Sequence, residues 1–500
     1  MAKPTDTQTT GGVSKAQKAT TASGASLRSL TVRGASNLAL REAVGMGIRL
    51  IGVTIVVRII GPANYGIYAA AAAFVVLIST LAQGGTEIFL IRMKEEPTHE
   101  AYGAAHGYLL LTSVGLCAIG LILSIPVASL VRSPETIVTF RVLVLSVPAN
   151  VLWAPAQAAI ERRFDYRKMG LIEGAGDVVF YVTAIILAFA GSRQWALVFG
   201  FIAWQVWLFV ASLIWSGLRF RPRWNTKLSK EMLRHSSTYA PAQWLDAVGQ
   251  LSNPIIVGPA LGVTGIGYVA FANRLVQTAA FARRGSWRLG VVSMARVDEN
   301  HRMRRALQDG ITLQALAVGV PVCLLAAFSP LIVPTLFGQK WTPAVPLIAF
   351  FAMAAILQSV GSFMATTMYA KGRNMPPLLG GILRQAATIS VAAILVPHLG
   401  LSGYGIAVLC GSGAFIYLGA VLHRSNLGVS VAQVLPFVVS PVSIALIPLV
   451  PGPLRFLLVV PALMMLAIPR FRRQLQTLGA LVWNALHDGR TERSSSTAEA

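Results

Sequence analysis

Fourteen hydrophobic stretches follow one another between residues 38 and 469, and most of them are long enough to cross a lipid bilayer. A helix needs about 20 mostly apolar residues to span about 30 Å of hydrocarbon, because each residue adds about 1.5 Å. No polar segment between the stretches is long enough for a folded soluble domain. The pattern therefore predicts an all-α polytopic membrane protein with about 14 transmembrane helices. The predicted spans are 38–60, 66–91, 104–130, 137–160, 171–190, 195–216, 238–260, 265–282, 310–334, 344–370, 377–397, 400–422, 432–450 and 453–469.

The charges separate the two sides of the predicted membrane protein. Charged residues make up 12% of the chain and hydrophobic residues 55%, and the formal net charge is +23. Basic runs occupy the loops of one side, while the loops of the other side carry little beyond Arg58, Arg132, Arg193, Lys340 and Arg455. This bias follows the positive-inside rule, so both termini are expected in the cytoplasm, next to anionic membrane lipid. It also argues against a nucleic-acid partner.

The basic segment 219–235 divides the spans into two halves of six. We refer to residues 27–218 as the first half (N-lobe) and to residues 236–424 as the second half (C-lobe). Both predicted lobes would surround a central cavity. The flanking segments are predicted as a disordered cytoplasmic tail over 1–26, two further spans over 430–469, and an amphipathic interfacial helix with a cytoplasmic tail over 470–500.

The two halves share a weak internal repeat. Residues 61–69 align with residues 262–270, and each segment forms the predicted outer turn between the first two spans of its half. An even number of spans separates the two turns, so the halves have the same orientation. Parallel repeats of this kind place a substrate site between the lobes, near the middle of the membrane.

The chain lacks the motifs of common enzymes. It has no Walker sequence, no HExxH, no GxSxG, and no DxD on an aqueous loop. Its three cysteines, Cys117, Cys323 and Cys410, all lie in apolar stretches, which argues against a disulfide framework or a metal site. No cofactor is expected. Ionisable residues within the spans are therefore the functional candidates, because they are costly in a membrane.

Two arginines lie deep within predicted spans. Arg49 follows Arg41 by eight positions, which places it about 12 Å deeper along the first span. Arg274 occupies a corresponding depth in span 8, beside Asn273. Each arginine either binds an anion in a central cavity or pairs with a buried carboxylate. Arginine suits phosphate because its planar guanidinium donates bidentate hydrogen bonds and stays charged.

Three carboxylates also lie within spans. Asp246 is the deepest, and it either couples transport to Na⁺ or H⁺ or neutralises Arg274 or Arg49. Glu173 and Asp177 lie four residues apart on one face of span 5. We expect these two to pair with the basic residues of the preceding loop, Arg162, Arg163, Arg167 and Lys168.

Five further ionisable residues lie nearer the span ends. Arg41 and Glu42 are at the inner mouth, where they either reach cytoplasmic water or form part of a gate. Glu87 either forms an interfacial ion pair or contributes to an inner gate. Arg58 and Arg384 either extend towards the nearest membrane surface or line the cavity.

Several motifs occur over about 340 residues in a characteristic order. They include Val57–Tyr68, Glu161–Arg167, Gly267–Leu275, Leu336–Ala344 and Tyr369–Arg373. With these motifs the chain resembles polysaccharide-type lipid-linked oligosaccharide flippases of the multidrug/oligosaccharidyl-lipid/polysaccharide exporter superfamily. It departs from the family pattern at residues 83–88, where many relatives have a more regular glycine and leucine run.

The resemblance implies two six-helix lobes around a cationic cavity in a bacterial cytoplasmic membrane. It implies alternating-access transfer of an undecaprenyl-pyrophosphate-linked oligosaccharide from the inner to the outer leaflet, for exopolysaccharide, O-antigen or capsule synthesis. Polysaccharide polymerase and chain-length proteins would be its pathway partners. Arg58, Asn273 and Arg274 fall within matched motifs, whereas Arg49 and Asp246 do not.

Three alternatives remain open from the sequence. A lipid II flippase or a cation-coupled multidrug antiporter would use the same superfamily scaffold, although an antiporter should have a cavity rich in acidic and aromatic residues. A membrane polymerase or ligase for the same lipid would need a sizeable external loop, and the predicted topology leaves none.

Overall fold

The computed structural model describes the backbone of residues 11–163, 165–281, 300–425, 427, 430–467, 469, 471–474, 476 and 479. It describes no side chain before residue 47, so those of Arg41 and Glu42 lie outside the described residues. The described backbone is helical and contains no β-strand. Ile48–Phe471 form one compact unit, and the described residues on either side of it belong to a second.

Nine helical stretches of the described residues are long and apolar enough to cross a membrane. The prediction of an all-α polytopic membrane protein is thereby confirmed. The stretches are Gly47–Arg92, His99–Val131, Glu135–Arg162, Arg167–Phe189, Trp195–Ser216, Pro241–Ala279, Met303–Phe337, Gln339–Ala370 and Met375–Arg424.

Three of these stretches are interrupted by a glycine whose φ is positive. Gly61 has φ 73° and ψ 172°, Gly262 has φ 66° and ψ −171°, and Gly400 has φ 58° and ψ −133°. The three stretches contain 46, 39 and 50 residues, each about twice the length of one crossing. Shorter apolar helices follow at Val434–Ala445 and Pro453–Met465. The count of 14 crossings stays a prediction.

Eight α-helices lie in the described part of the chain up to the end of the first half. The first begins at Gly11, within the segment predicted to be a disordered tail. The helices are α1 Gly11–Gln83, α2 Thr86–Arg92, α3 His99–Val131, α4 Glu135–Val144, α5 Val147–Leu152, α6 Ala154–Arg162, α7 Tyr166–Phe189 and α8 Trp195–Ser216.

Nine α-helices follow in the described part of the remaining chain. They are α9 Thr226–Tyr239, α10 Pro241–Gln250, α11 Gly258–Ala279, α12 Asn300–Ile332, α13 Val345–Ala370, α14 Met375–Ser412, α15 Phe415–Arg424, α16 Val431–Ala445 and α17 Val460–Leu466. Short π- and 3₁₀-helical segments lie between them, at Asn253–Val257, Val333–Phe337, Gln339–Ala344, Ile447–Leu449 and Pro453–Val459. The predicted linker 219–235 thus contains the start of a helix, α9.

The motif Glu161–Arg167 lies at the end of the bundle that carries the basic loops, which we call the basic end. It supplies two helix caps there. Nη1 of Arg162 donates to three carbonyls at the end of α2, at 2.8–3.0 Å. Asp165 caps the start of α7 by accepting from the backbone N–H of Lys168 at 3.1 Å. Hydrogen bonds from Lys168 also hold the pKa of the Asp165 carboxyl below its ordinary value.

The linker that follows α8 packs against two glycines of α3. The backbone N–H of Arg223 donates to the carbonyl oxygen of Gly103 at 2.9 Å. A Cβ atom on Gly107 would overlap the carbonyl oxygen of Arg223. Close backbone approach of this kind requires glycine, and it fixes the linker against the first half.

The two halves pack together at the end of the bundle that carries Gly61 and Gly262, which we call the glycine-turn end. The positive-inside pattern predicts that this end faces outward. One continuous apolar core there joins buried residues of both halves, among them Val57, Ile60, Tyr65, Ile266, Phe271 and Trp341.

The contact between the halves is reciprocal at the two turns. A Cβ atom on Gly66 would overlap the carbonyl oxygen of Val263, and one on Gly267 would overlap the carbonyl oxygen of Pro62. Gly66 and Gly267 occupy equivalent positions, each five residues after its turn glycine. The halves therefore meet through equivalent surfaces, and the absence of two side chains allows the close approach.

Trp341 reinforces the same contact from the second half. It is 1% exposed, and its indole Nε1–H donates to the carbonyl oxygen of Val57 in the first half at 3.2 Å. Its ring lies edge-on to Tyr65, with centroids 5.7 Å apart, and to Tyr268, at 6.0 Å. Apolar burial and a cross-half hydrogen bond together close the glycine-turn end.

Candidate functional site

Helix α7 presents two polar side chains one turn apart, Asp177 and Tyr181. Residues four apart lie on the same face of an α-helix, so both point in one direction. Oδ2 of Asp177 lies 2.9 Å from Nε of Arg49 on α1. The two side chains are 29% and 22% exposed, for Arg49 and Asp177 respectively, so the ion pair is half-buried.

Tyr181 makes the second contact of this face, across the boundary between the halves. Its phenol lies beside the guanidinium of Arg274 on α11, and the phenols of Tyr65 and Tyr68 also lie near that guanidinium. The ring of Tyr181 lies directly against Gly52 of α1, where a Cβ atom would overlap it. Helix α7 thus holds the two deep arginines, one from each half, on a single face.

The two sides of this site differ in accessibility. Arg274 and the adjacent Asn273 are exposed, whereas Tyr65 and Tyr181 are 7% and 4% exposed. Because Arg274 contacts Tyr181 of the other half, its guanidinium lies at the boundary between the halves. Two guanidinium groups held there can donate several charge-assisted hydrogen bonds to one oxyanion.

A second ion pair lies within the second half. Nη2 of Arg384 on α14 is 2.6 Å from Oδ1 of Asp246 on α10, and the side chains are 30% and 67% exposed, respectively. Asp246 thus has an arginine partner, but that partner is Arg384 rather than Arg274 or Arg49. The carboxylate of this pair is thus more accessible than that of Asp177.

The two ion pairs use equivalent helices with exchanged charges. In the first half the first span supplies Arg49 and the fifth span supplies Asp177. In the second half the first span supplies Asp246 and the fifth span supplies Arg384. The internal repeat therefore extends to the placement of these pairs, although no alignment of identical residues reveals it.

Sequence reasoning missed the partner of Asp177. We expected it to pair with the basic loop before α7, but the structure pairs it with Arg49. Asp177 lies 11 residues beyond the first residue of α7, about 16 Å along the helix axis. That distance brings the carboxylate level with Arg49, well above the loop.

Arg58 lies at the glycine-turn end, away from the two deep arginines. Its Nη1 donates to the carbonyl oxygens of Thr335 and Leu336 in the second half, at 3.0 and 3.1 Å. These carbonyls belong to the segment Val333–Phe337. The structure thus places Arg58 in the contact between the halves.

Glu87 lies at the opposite end of the first half, in the first turn of α2. The side-chain amide of Gln157 donates to Glu87 at 2.9 Å and to Glu161 at 3.0 Å. Among the described residues, no group of three or more His, Cys, Asp or Glu side chains could hold a metal ion.

Comparison with solved structures identifies the fold. Over 85% of this chain and 96% of the other, the structure matches the lipid II flippase MurJ in an inward closed conformation, with a TM-score of 0.70 and 11% identity. It matches an inward-facing multidrug resistance MATE family transporter of the MOP superfamily with a TM-score of 0.60 and 16% identity, over 76% and 95% of the chains. The fold is that of the multidrug/oligosaccharidyl-lipid/polysaccharide exporter (MOP) superfamily.

The family is shown by sequence. A family model described as polysaccharide biosynthesis protein matches residues 55–346, more than half of the chain, and the chain belongs to this family. It is 25% identical to the succinoglycan biosynthesis transport protein ExoT of Rhizobium meliloti (strain 1021), over 69% of this chain and 70% of the relative. It is 22% identical to the lipopolysaccharide biosynthesis protein WzxC of Escherichia coli (strain K12), over 70% and 71%. The resemblance to polysaccharide-type flippases is confirmed, and the chain is a transport protein rather than an enzyme.

Proposed function

We propose that this protein flips lipid-linked oligosaccharide repeat units from the inner to the outer leaflet of the bacterial cytoplasmic membrane. The products would serve exopolysaccharide, O-antigen or capsule synthesis, and both termini would lie in the cytoplasm. The observation that carries the proposal is that Arg49 and Arg274, one from each half, contact side chains one turn apart on α7, those of Asp177 and Tyr181. A charged pyrophosphate is costly in hydrocarbon, and paired guanidinium groups offset that cost.

Transfer proceeds by alternating access. The described structure is closed at the glycine-turn end, so the lipid headgroup enters from the basic end of the bundle. The arginines bind the pyrophosphate while the lipid tail stays in the bilayer. The halves then rock about the site and separate the reciprocal contacts of Gly66 and Gly267. Net direction requires that the substrate, or a coupling ion, bind the two states with different affinities.

Coupling and partners form part of the same proposal. Na⁺ or H⁺ would act through Asp246, with Glu87 and Glu42 as gate residues near the basic end. Arg384 would compete with a cation for Asp246, since the two side chains already form an ion pair. Arg41 would line the entrance. Polysaccharide polymerase and chain-length proteins would receive the transferred lipid.

The arginine assignment is tested by flipping of labelled lipid-linked oligosaccharide in reconstituted vesicles. Arg49→Ala and Arg274→Ala should each lower headgroup transfer about 10- to 100-fold, because a hydrogen bond to a charged group contributes about 1.5–3 kcal/mol. Arg167→Ala, an exposed arginine on the same helix as Asp177, is the matched control and should transfer at the wild-type rate. Wild-type rates in both site variants would reject the assignment.

A lipid II flippase is the second candidate, favoured by the fold shared with MurJ. The two functions differ in the saccharide that accumulates when transport is lost. Deletion of the gene followed by analysis of the lipid fraction should reveal an oligosaccharide repeat unit. Accumulated lipid II would instead support the second candidate.

A further inference from the structure

We infer that Asp177 is a displaceable counterion: its carboxylate occupies the anion site of Arg49 in the empty transporter and yields it to a substrate phosphate. The inference rests on the proposed function, because it assigns the anion that Arg49 receives. It adds a specificity role for Asp177, which no sequence motif indicates.

The first support is the contrast between the two ion pairs. The Asp246–Arg384 pair has a carboxylate that is 67% exposed, whereas Asp177 is 22% exposed. Removing one partner of a partly buried pair leaves an uncompensated charge, and that cost grows as water is excluded. Arg49 therefore needs a compensating negative charge whenever the site is empty. Asp177 meets this need.

The second support is the paired arrangement of acceptors on α7. Asp177 places a carboxylate beside Arg49, and Tyr181, one turn further, places a phenol beside Arg274. Two acceptors on one rigid helix, each facing one arginine, match in number the two phosphates of a pyrophosphate. A pyrophosphate that bound both guanidinium groups would replace both contacts at once.

The consequence is discrimination among anions. A carboxylate tethered beside Arg49 has a high effective concentration, so a free monophosphate must compete with it. A lipid-linked pyrophosphate brings two phosphates together with its lipid and sugar contacts, and it overcomes the same competition. Asp177 thus keeps abundant free phosphate and lipid headgroups out of a cationic site.

The test is calorimetric titration of inorganic pyrophosphate into the purified full-length protein. Asp177→Asn keeps the side-chain shape but removes the charge, and it should tighten pyrophosphate binding by about tenfold. Glu135→Gln removes one charge from an exposed residue at the glycine-turn end and should leave the affinity unchanged. The double variant Arg49→Ala with Asp177→Asn should lose the gain, since the freed guanidinium is its source.

Wild-type or weaker pyrophosphate binding by Asp177→Asn would overturn the inference. If Asp177→Asn does not elute as folded protein, Asp177→Ser serves instead, because it also removes the charge and should tighten pyrophosphate binding. Unchanged or weaker binding by Asp177→Ser would equally overturn the inference. The proposed function fails separately, if the reconstituted wild-type protein does not transfer lipid-linked oligosaccharide.

Discussion

At the scale of single residues, the absence of a side chain at Gly52 determines the position of Tyr181. Gly52 has no Cβ, so the ring of Tyr181 rests directly on the backbone of α1. From that position the phenol reaches Arg274 in the other half. Gly52 also lies three residues after Arg49. The same turn of α1 therefore supplies both the arginine and the backbone surface against which the Tyr181 ring packs.

Gly52→Ala should therefore lower flipping about tenfold. The added methyl group displaces the Tyr181 ring and removes the contact of its phenol with Arg274, and a polar contact to a charged group contributes about 1.5 kcal/mol, or roughly one order of magnitude. Tyr181→Phe, which keeps the ring, should give a similar loss. Gly174→Ala on α7 is the control, because no heavy atom lies within 4 Å of its added Cβ. Equal flipping rates for Gly52→Ala and Gly174→Ala would contradict the claim that Gly52 positions Tyr181.

The sequence allowed part of this site to be predicted. Depth along a predicted span singles out Arg49 and Arg274, because helical rise converts sequence position into distance. It does not reveal that Asp177 and Tyr181 face them, since that depends on the rotation of α7 against α1 and α11. Such rotation is set by packing, here by the absence of a Cβ at Gly52, which a pattern of apolar residues does not encode.

At the scale of elements, Arg162 acts as the C-terminal cap of a neighbouring helix. Its guanidinium donates to the carbonyl oxygens of Leu90, Ile91 and Met93 near the end of α2, and to that of Glu95 beyond it. The last carbonyls of a helix lack intrahelical partners, and a cation there also complements the helix dipole. The motif Glu161–Arg167 was recognisable in the sequence, but its target on α2 was not, because the two segments are about 70 residues apart.

Arg162→Ala should lower the thermal unfolding midpoint of the detergent-solubilised protein by several degrees. Loss of the cap leaves carbonyl groups of α2 without their donor, at a cost of about 2–3 kcal/mol. Arg162→Lys should recover only part of the loss, since an ammonium group lacks the planar fork that reaches several carbonyls. Arg167→Ala, on an exposed side chain, should unfold at the wild-type temperature. Full recovery by lysine would show that charge alone provides the cap.

At the scale of the whole molecule, the internal repeat gives the two halves equivalent surfaces through which they contact each other. The alignment of residues 61–69 with 262–270 was visible in the sequence, and both turn glycines have nearly the same φ and ψ. The reciprocal overlap positions at Gly66 and Gly267 were not visible, because sequence position does not tell them from glycines such as Gly47, whose added Cβ would meet no heavy atom within 4 Å. An interface of this kind is made by backbone contact and by Trp341, so small changes in it should shift the balance between closed and open states.

Gly66→Ala should accordingly favour opening of the glycine-turn end. The added methyl group overlaps the carbonyl oxygen of Val263, and overpacking of about 1–3 kcal/mol shifts a two-state ratio about 5- to 150-fold.

Spin labels at Glu135→Cys and Lys340→Cys, one in each half, report the distance between the halves in a protein whose three native cysteines are replaced. Double electron–electron resonance should show a larger long-distance population in Gly66→Ala and in Gly267→Ala. Gly115→Ala, whose Cβ meets no atom within 4 Å, should give the wild-type distribution. Indistinguishable distributions in all four proteins would mean that the closed state does not depend on the reciprocal glycine contact.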